Sequence, residues 1–84
     1  MKKIVVYGTR WCKDTILARK VLDDSNIEYD YVDINQDKKG EQFVKETNHG
    51  NRSVPTIVFS DNSILVEPTR NELLNKLEKL GAEN

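Results

Sequence analysis

Between Lys3 and Tyr7 the chain runs KIVVY, a short β-branched stretch closed by Gly8, which is the pattern of a buried strand. From Lys13 to Asp24 the period changes. Ile16, Leu17, Ala18, Val21 and Leu22 share one helical face, Arg19, Lys20 and Asp23 lie off it, and DDSN ends the helix. Glu28–Ile34 (EYDYVDI) alternates imperfectly, but its β-formers favour a strand. Asn35 or Asp37 is placed to cap a second helix through Phe43 and Val44 to about Thr47. NHGNRS then reads as a loop. PTIVF (Pro55–Phe59) reads as a strand opening on proline, SDNS as a hairpin turn, and Ile64–Val66 as the return strand. The last pattern is a helix with Thr69 and Glu72 as a capping box, Leu73, Leu77 and Leu80 as its buried stripe, and Gly81 as its stop.

The order is therefore β-α-β-α-β-β-α. A βαβ unit is parallel and right-handed, and the hairpin and helix that follow complete an α/β fold: a four-stranded mixed sheet flanked by helices. With 84 residues the chain is expected to form one domain, residues 1–84, and no repeat or linker divides it. The composition, 37% hydrophobic and 32% charged, supports a fold with a thin core. A net charge of −1 with mixed signs gives no electrostatic footprint for nucleic acid or an anionic membrane. The apolar runs are too short to span a bilayer, and MKKIVVYG is too short in its apolar part for a signal peptide, so a cytoplasmic location is expected.

The chemistry concentrates in YGTRWCKDT, residues 7–15, which holds the one cysteine of the chain, Cys12. One cysteine closes no internal disulfide, and a lone cysteine is more often a small buried apolar residue than a reagent. Its place argues otherwise. Cys12 falls where the first strand gives way to the first helix, at the carboxyl end of a strand, where α/β sheets bind ligands. It is also a helix start, where free N–H groups and the helix dipole favour an anion. A thiolate is the relevant anion, and neighbouring cations favour it. Arg10 and Lys13 flank the thiol in that sense, Asp14 opposes them, and Trp11 sets a large aromatic beside it.

WCKDT after the first strand, NHGNRSVPT before the third and DNSILVEPT across the hairpin together resemble the glutaredoxin-like branch of the thioredoxin fold, and most of all its short, mycoredoxin-like members. The resemblance runs from Ile4 to about Leu77. It implies that Cys12 is the nucleophile, and that Pro55 follows a cis peptide bond and faces it. It further implies that the backbone of Val54 pairs with glutathione or a peptide like an added strand, with Arg10, Trp11, Lys13, Arg52 and Thr69 near the bound thiol. The chain departs from the family pattern in three places. Thr15 stands where many relatives carry a second cysteine; its hydroxyl is placed either to donate to the Cys12 thiolate, as a catalytic group, or to bond backbone at the helix start. Thr9 stands where glutathione-binding relatives often have lysine. VEPT, residues 66–69, stands where they have a glycine pair and an acidic cap.

What the resemblance implies is a monothiol-type thiol–disulfide oxidoreductase, with a low-molecular-weight thiol such as glutathione as co-substrate and no bound cofactor or metal. Its partners would be proteins carrying thiols or disulfides, met as a monomer, without nucleic acid or membrane. Two other functions compete: an iron–sulfur cluster carrier using Cys12 from two subunits and two external thiols, and a catalytically silent thioredoxin-fold binding module. KDT after the cysteine differs from the glycine-phenylalanine-serine of cluster-binding relatives. His49, the one histidine, lies in a Gly/Asn-rich loop with nothing placing it beside Cys12, which argues against a cysteine hydrolase.

Overall fold

The computed structural model describes residues 3–82. In chain order the elements are β1 (Ile4–Gly8), α1 (Lys13–Asp24), β2 (Tyr29–Asp33), α2 (Lys38–Thr47), β3 (Thr56–Val58), β4 (Ile64–Val66) and α3 (Arg70–Ala82). The strands form one mixed sheet in the order β2-β1-β3-β4. β1 and β2 are parallel, as the α1 crossover between them requires, and the other two pairings are antiparallel. This is the four-stranded mixed sheet expected from the element order, in the thioredoxin-like architecture that the family resemblance implies.

Alternation along β1 sorts the two faces. Ile4 and Val6 join Ala18, Val21 and Leu22 of α1, Ile57, Phe59 and Leu73 of α3 in the main core. On the opposite face Tyr7 stacks on Phe43 of α2 at 4.7 Å between ring centroids. α2 comes close to the sheet because Gly40 has no side chain: a β-carbon there would lie 2.6 Å from Cγ1 of Val32.

Several local expectations are met. Asp37, not Asn35, caps α2, its carboxylate accepting from the Gly40 N–H at 2.9 Å. Thr69 and Glu72 make the reciprocal capping box at 2.8 and 3.1 Å. The 60–63 turn closes with the Phe59 N–H donating to the Ser63 carbonyl at 2.8 Å.

Other expectations are corrected. Ile16 is 51% exposed, and Thr15 takes its place on the buried face of α1. The contacting stripe runs 15, 18, 22, and Ile16 is one helical step, about 100°, away from it. Gly81 does not stop α3, which continues to Ala82. A glycine ends a helix by taking a left-handed φ, and Gly81 does not. Pro55 precedes β3 and does not open it, and β2 is trimmed to Tyr29–Asp33.

Candidate active site

The register of the sheet explains which loops meet. Tyr7 pairs with Thr56, and Thr56 pairs with Val66. The end of β1, the start of β3 and the end of β4 therefore share one edge of the sheet. The segments that continue from those points, residues 8–12, 53–55 and 67–69, converge there.

Cys12 is the N-cap of α1, with extended backbone (φ −75°, ψ 123°) and no side-chain capping bond. Its carbonyl accepts from the Ile16 N–H at 3.0 Å, the first bond of the helix. The residue is half-buried and its thiol is free. Sγ lies 3.8 Å from the carbonyl oxygen of Val54, 42 residues away in sequence. The Val54–Pro55 peptide is cis and Pro55 is buried. Across the third segment, the Glu67 N–H donates to the Pro55 carbonyl at 2.8 Å. A chain of contacts thus runs from Cys12 through Val54 and Pro55 to Glu67.

The remaining residues named from the sequence divide into two groups. Trp11 is 85% exposed, and Arg10 and Lys13 are exposed as well, so an aromatic surface and two cations flank Cys12 in the chain. Thr69 is exposed and engaged in the α3 capping box, two residues beyond Glu67. Arg52 is turned to other work. Its guanidinium meets Glu41 at 2.7 Å and donates to Asn35, which ties the 48–53 loop to the start of α2.

Thr15 does not perform the role expected of it. Its side chain is 1% exposed, and its hydroxyl neither donates to Cys12 nor bonds the backbone; among the described residues no group partners it. The cause is the close approach of α1 to β1. The Thr15 side chain lies against the backbone of Gly8, where a β-carbon would come within 2.5 Å of its Cγ2 and 2.7 Å of its hydroxyl oxygen.

Between α1 and β2, Arg19 covers the Tyr31 ring at 3.9 Å and donates to the Tyr29 hydroxyl at 3.3 Å. Burial raises the Tyr31 phenol above its ordinary value, with Asp33 acting in the same direction, so Tyr31 stays neutral and packs.

The residue that sequence reasoning left out is Glu67. It is exposed and has φ +49°, in the left-handed region, without being glycine. The signal available was the VEPT departure, which put glutamate where the family pattern has glycine.

The chain is similar to known proteins in sequence and in fold. The Glutaredoxin family model matches residues 4–64. Mycoredoxin 1 of Corynebacterium glutamicum is 38% identical over 80 residues, which cover 95% of this chain and 99% of that relative. Among solved structures, a thioredoxin-like protein superposes with a TM-score of 0.79 at 24% identity, over 93% of this chain and 97% of its own. The glutaredoxin of Methanosarcina mazei superposes with a TM-score of 0.71 at 28% identity, over 89% and 77%.

Proposed function

Because this chain belongs to the glutaredoxin family, we propose that it is a monothiol thiol–disulfide oxidoreductase with Cys12 as its nucleophile. The observation that carries the reading is the placement of Cys12. A free, half-buried thiol at the N-cap of α1 lies 3.8 Å from the Val54 carbonyl, with no second cysteine in the chain to resolve it.

The reaction that follows is exchange in two steps. The Cys12 thiolate attacks the small-thiol sulfur of a mixed disulfide on a protein. A new S–S bond forms between Cys12 and the small thiol, the old S–S bond breaks, and the protein thiolate leaves and takes up a proton. A second molecule of the small thiol, as thiolate, attacks the sulfur carried by Cys12. That releases the small thiol's symmetrical disulfide and the Cys12 thiolate. The electrons come from the small thiol, so no bound redox group is needed. The half-buried Val54 backbone, just ahead of β3, suits the extended backbone of the incoming substrate, and the exposed Trp11 supplies apolar surface next to Cys12 in the chain. Low-molecular-weight thiols are the co-substrates, glutathione being one candidate among them.

The test uses a peptide whose cysteine is blocked with a small thiol. Wild-type protein with excess small thiol should release the peptide thiol catalytically. Incubated with the blocked peptide alone, it should gain the mass of one small thiol less two hydrogens. Cys12→Ser should do neither. Failure of the wild type to take up the thiol, while free cysteine exchanges under the same conditions, would rule the reading out.

A further inference from the structure

We infer that Glu67 is a specificity-determining residue of this thiol site: it turns the site against small thiols that carry a carboxylate and toward those whose only charge is an amine. The inference rests on the proposed exchange reaction and adds to it the charge class of the small thiol.

Two observations place Glu67 in the wall of the site. Its N–H is bonded to the Pro55 carbonyl at 2.8 Å, and the next carbonyl along the chain, that of Val54, is the one Cys12 Sγ faces at 3.8 Å. A thiol joined to Cys12 and laid along Val54 is therefore separated from the Glu67 backbone by one residue of chain and one hydrogen bond. The backbone of Glu67 is fixed as well. Its φ of +49° is a conformation that disfavours any residue with a β-carbon. The bond to Pro55 on one side holds it, and on the other side Pro68 disfavours the right-handed helical region. Strained backbone of this kind persists where the surroundings over-determine it.

The charges around the site give the sign. Arg10 and Lys13 are exposed beside Cys12 in the chain together with Asp14, and Arg70 is exposed between the two members of the Thr69–Glu72 capping box. Arg52 is already paired with Glu41 and Asn35, so its charge is largely spent within the fold. Glu67 is the carboxylate attached directly to the Pro55 strand entry. It repels a second carboxylate brought along Val54 and attracts an amine. Because Glu67 is exposed, water screens the effect and a modest factor is expected, about three- to fivefold per unit charge.

The experiment compares one blocked peptide in three forms, carrying cysteamine (cationic), 2-mercaptoethanol (neutral) or 3-mercaptopropionate (anionic). Each enzymatic kcat/KM is divided by the rate of the uncatalysed exchange. The wild-type ratio of cysteamine to mercaptopropionate is the reference. In both Glu67→Gln and Glu67→Gly that ratio should fall about nine- to twenty-five-fold, the per-charge factor counted twice because the two thiols differ by two unit charges. Added salt, at about 0.5 M, should compress the wild-type ratio and leave that of Glu67→Gln little changed. A wild-type ratio retained in Glu67→Gln would overturn the inference while leaving the exchange reaction intact. Absence of turnover with all three disulfides would overturn the exchange reaction, and the inference with it.

Discussion

Thr15 and Glu67 show how much a single residue owes to its surroundings. The Thr15 hydroxyl is buried against Gly8 and has no partner among the described residues, which leaves its desolvation uncompensated. Valine has nearly the same shape and no hydroxyl. Thr15→Val should therefore raise stability by about 1 kcal/mol, read from urea unfolding, and leave exchange activity close to wild type. A large loss of activity would instead return Thr15 to a role at the thiolate. From the sequence, the three-residue spacing to Cys12 was legible and the direction of the side chain was not, because burial depends on how closely β1 approaches α1. Glu67 presents the reverse case. Its position in VEPT was visible as a departure from family pattern, but its left-handed backbone follows from a bond to Pro55, twelve residues earlier. Replacing it with glycine relieves the β-carbon clash at the cost of a more flexible unfolded chain. Glu67→Gly is expected to stabilise by up to about 1 kcal/mol, and a clear loss of stability would show that its side chain makes contacts the fold depends on.

Among the elements, those held by local chemistry were the most legible. α1 runs over the span its periodicity marks. The Asp37 cap, the 60–63 turn and the Thr69–Glu72 box all depend on residues within four positions of one another. What escaped were features that depend on a neighbouring element: which of Thr15 and Ile16 faces the sheet, and whether Gly81 ends α3 or continues it. The packing of α1 on β1 turns on Gly8. An alanine there would set its β-carbon 2.5 Å from Cγ2 of Thr15, a branched side chain with no room to move. Gly8→Ala should cost about 1–3 kcal/mol by overpacking. Shortening the opposing side chain should return much of that loss. The double variant Gly8→Ala/Thr15→Ala is thus expected to be more stable than the sum of the two single changes, a coupling that a double-mutant cycle of unfolding free energies measures. Additive losses would mean that the strand shifts to accommodate the new methyl.

At the scale of the whole molecule, the site exists because three segments far apart in sequence end at one edge of the sheet. Strand order β2-β1-β3-β4 does this by setting β1 beside β3. Neither the 42-residue contact of Cys12 with Val54 nor the bond from Glu67 to Pro55 is written in any local pattern. The family resemblance supplied the first pairing, and the second needed the fold. The β3–β4 hairpin therefore has to be held in place at both ends. At the end away from Cys12, Asp61 of its turn pairs with Lys76 of α3 at 3.1 Å, and Lys76 also lies over the Phe59 ring at 5.6 Å. Bonds from the Ser63 hydroxyl and N–H, with Lys76 adding to them, hold the Asp61 carboxyl down from 3.8 to about 2. A carboxyl whose pKa is lower in the folded state stabilises the fold above its unfolded pKa, and that contribution is lost as the pH falls through the folded one. The window here is from about pH 4 down to about pH 2. Other carboxylates titrate in the same range, so the informative quantity is a difference. The melting temperature of wild type should exceed that of Asp61→Asn near neutrality, and the gap should narrow as the pH is lowered across this window. A gap that stays constant down to pH 2 would mean that the hairpin is held to α3 by packing on Phe59 and not by the charge of Asp61.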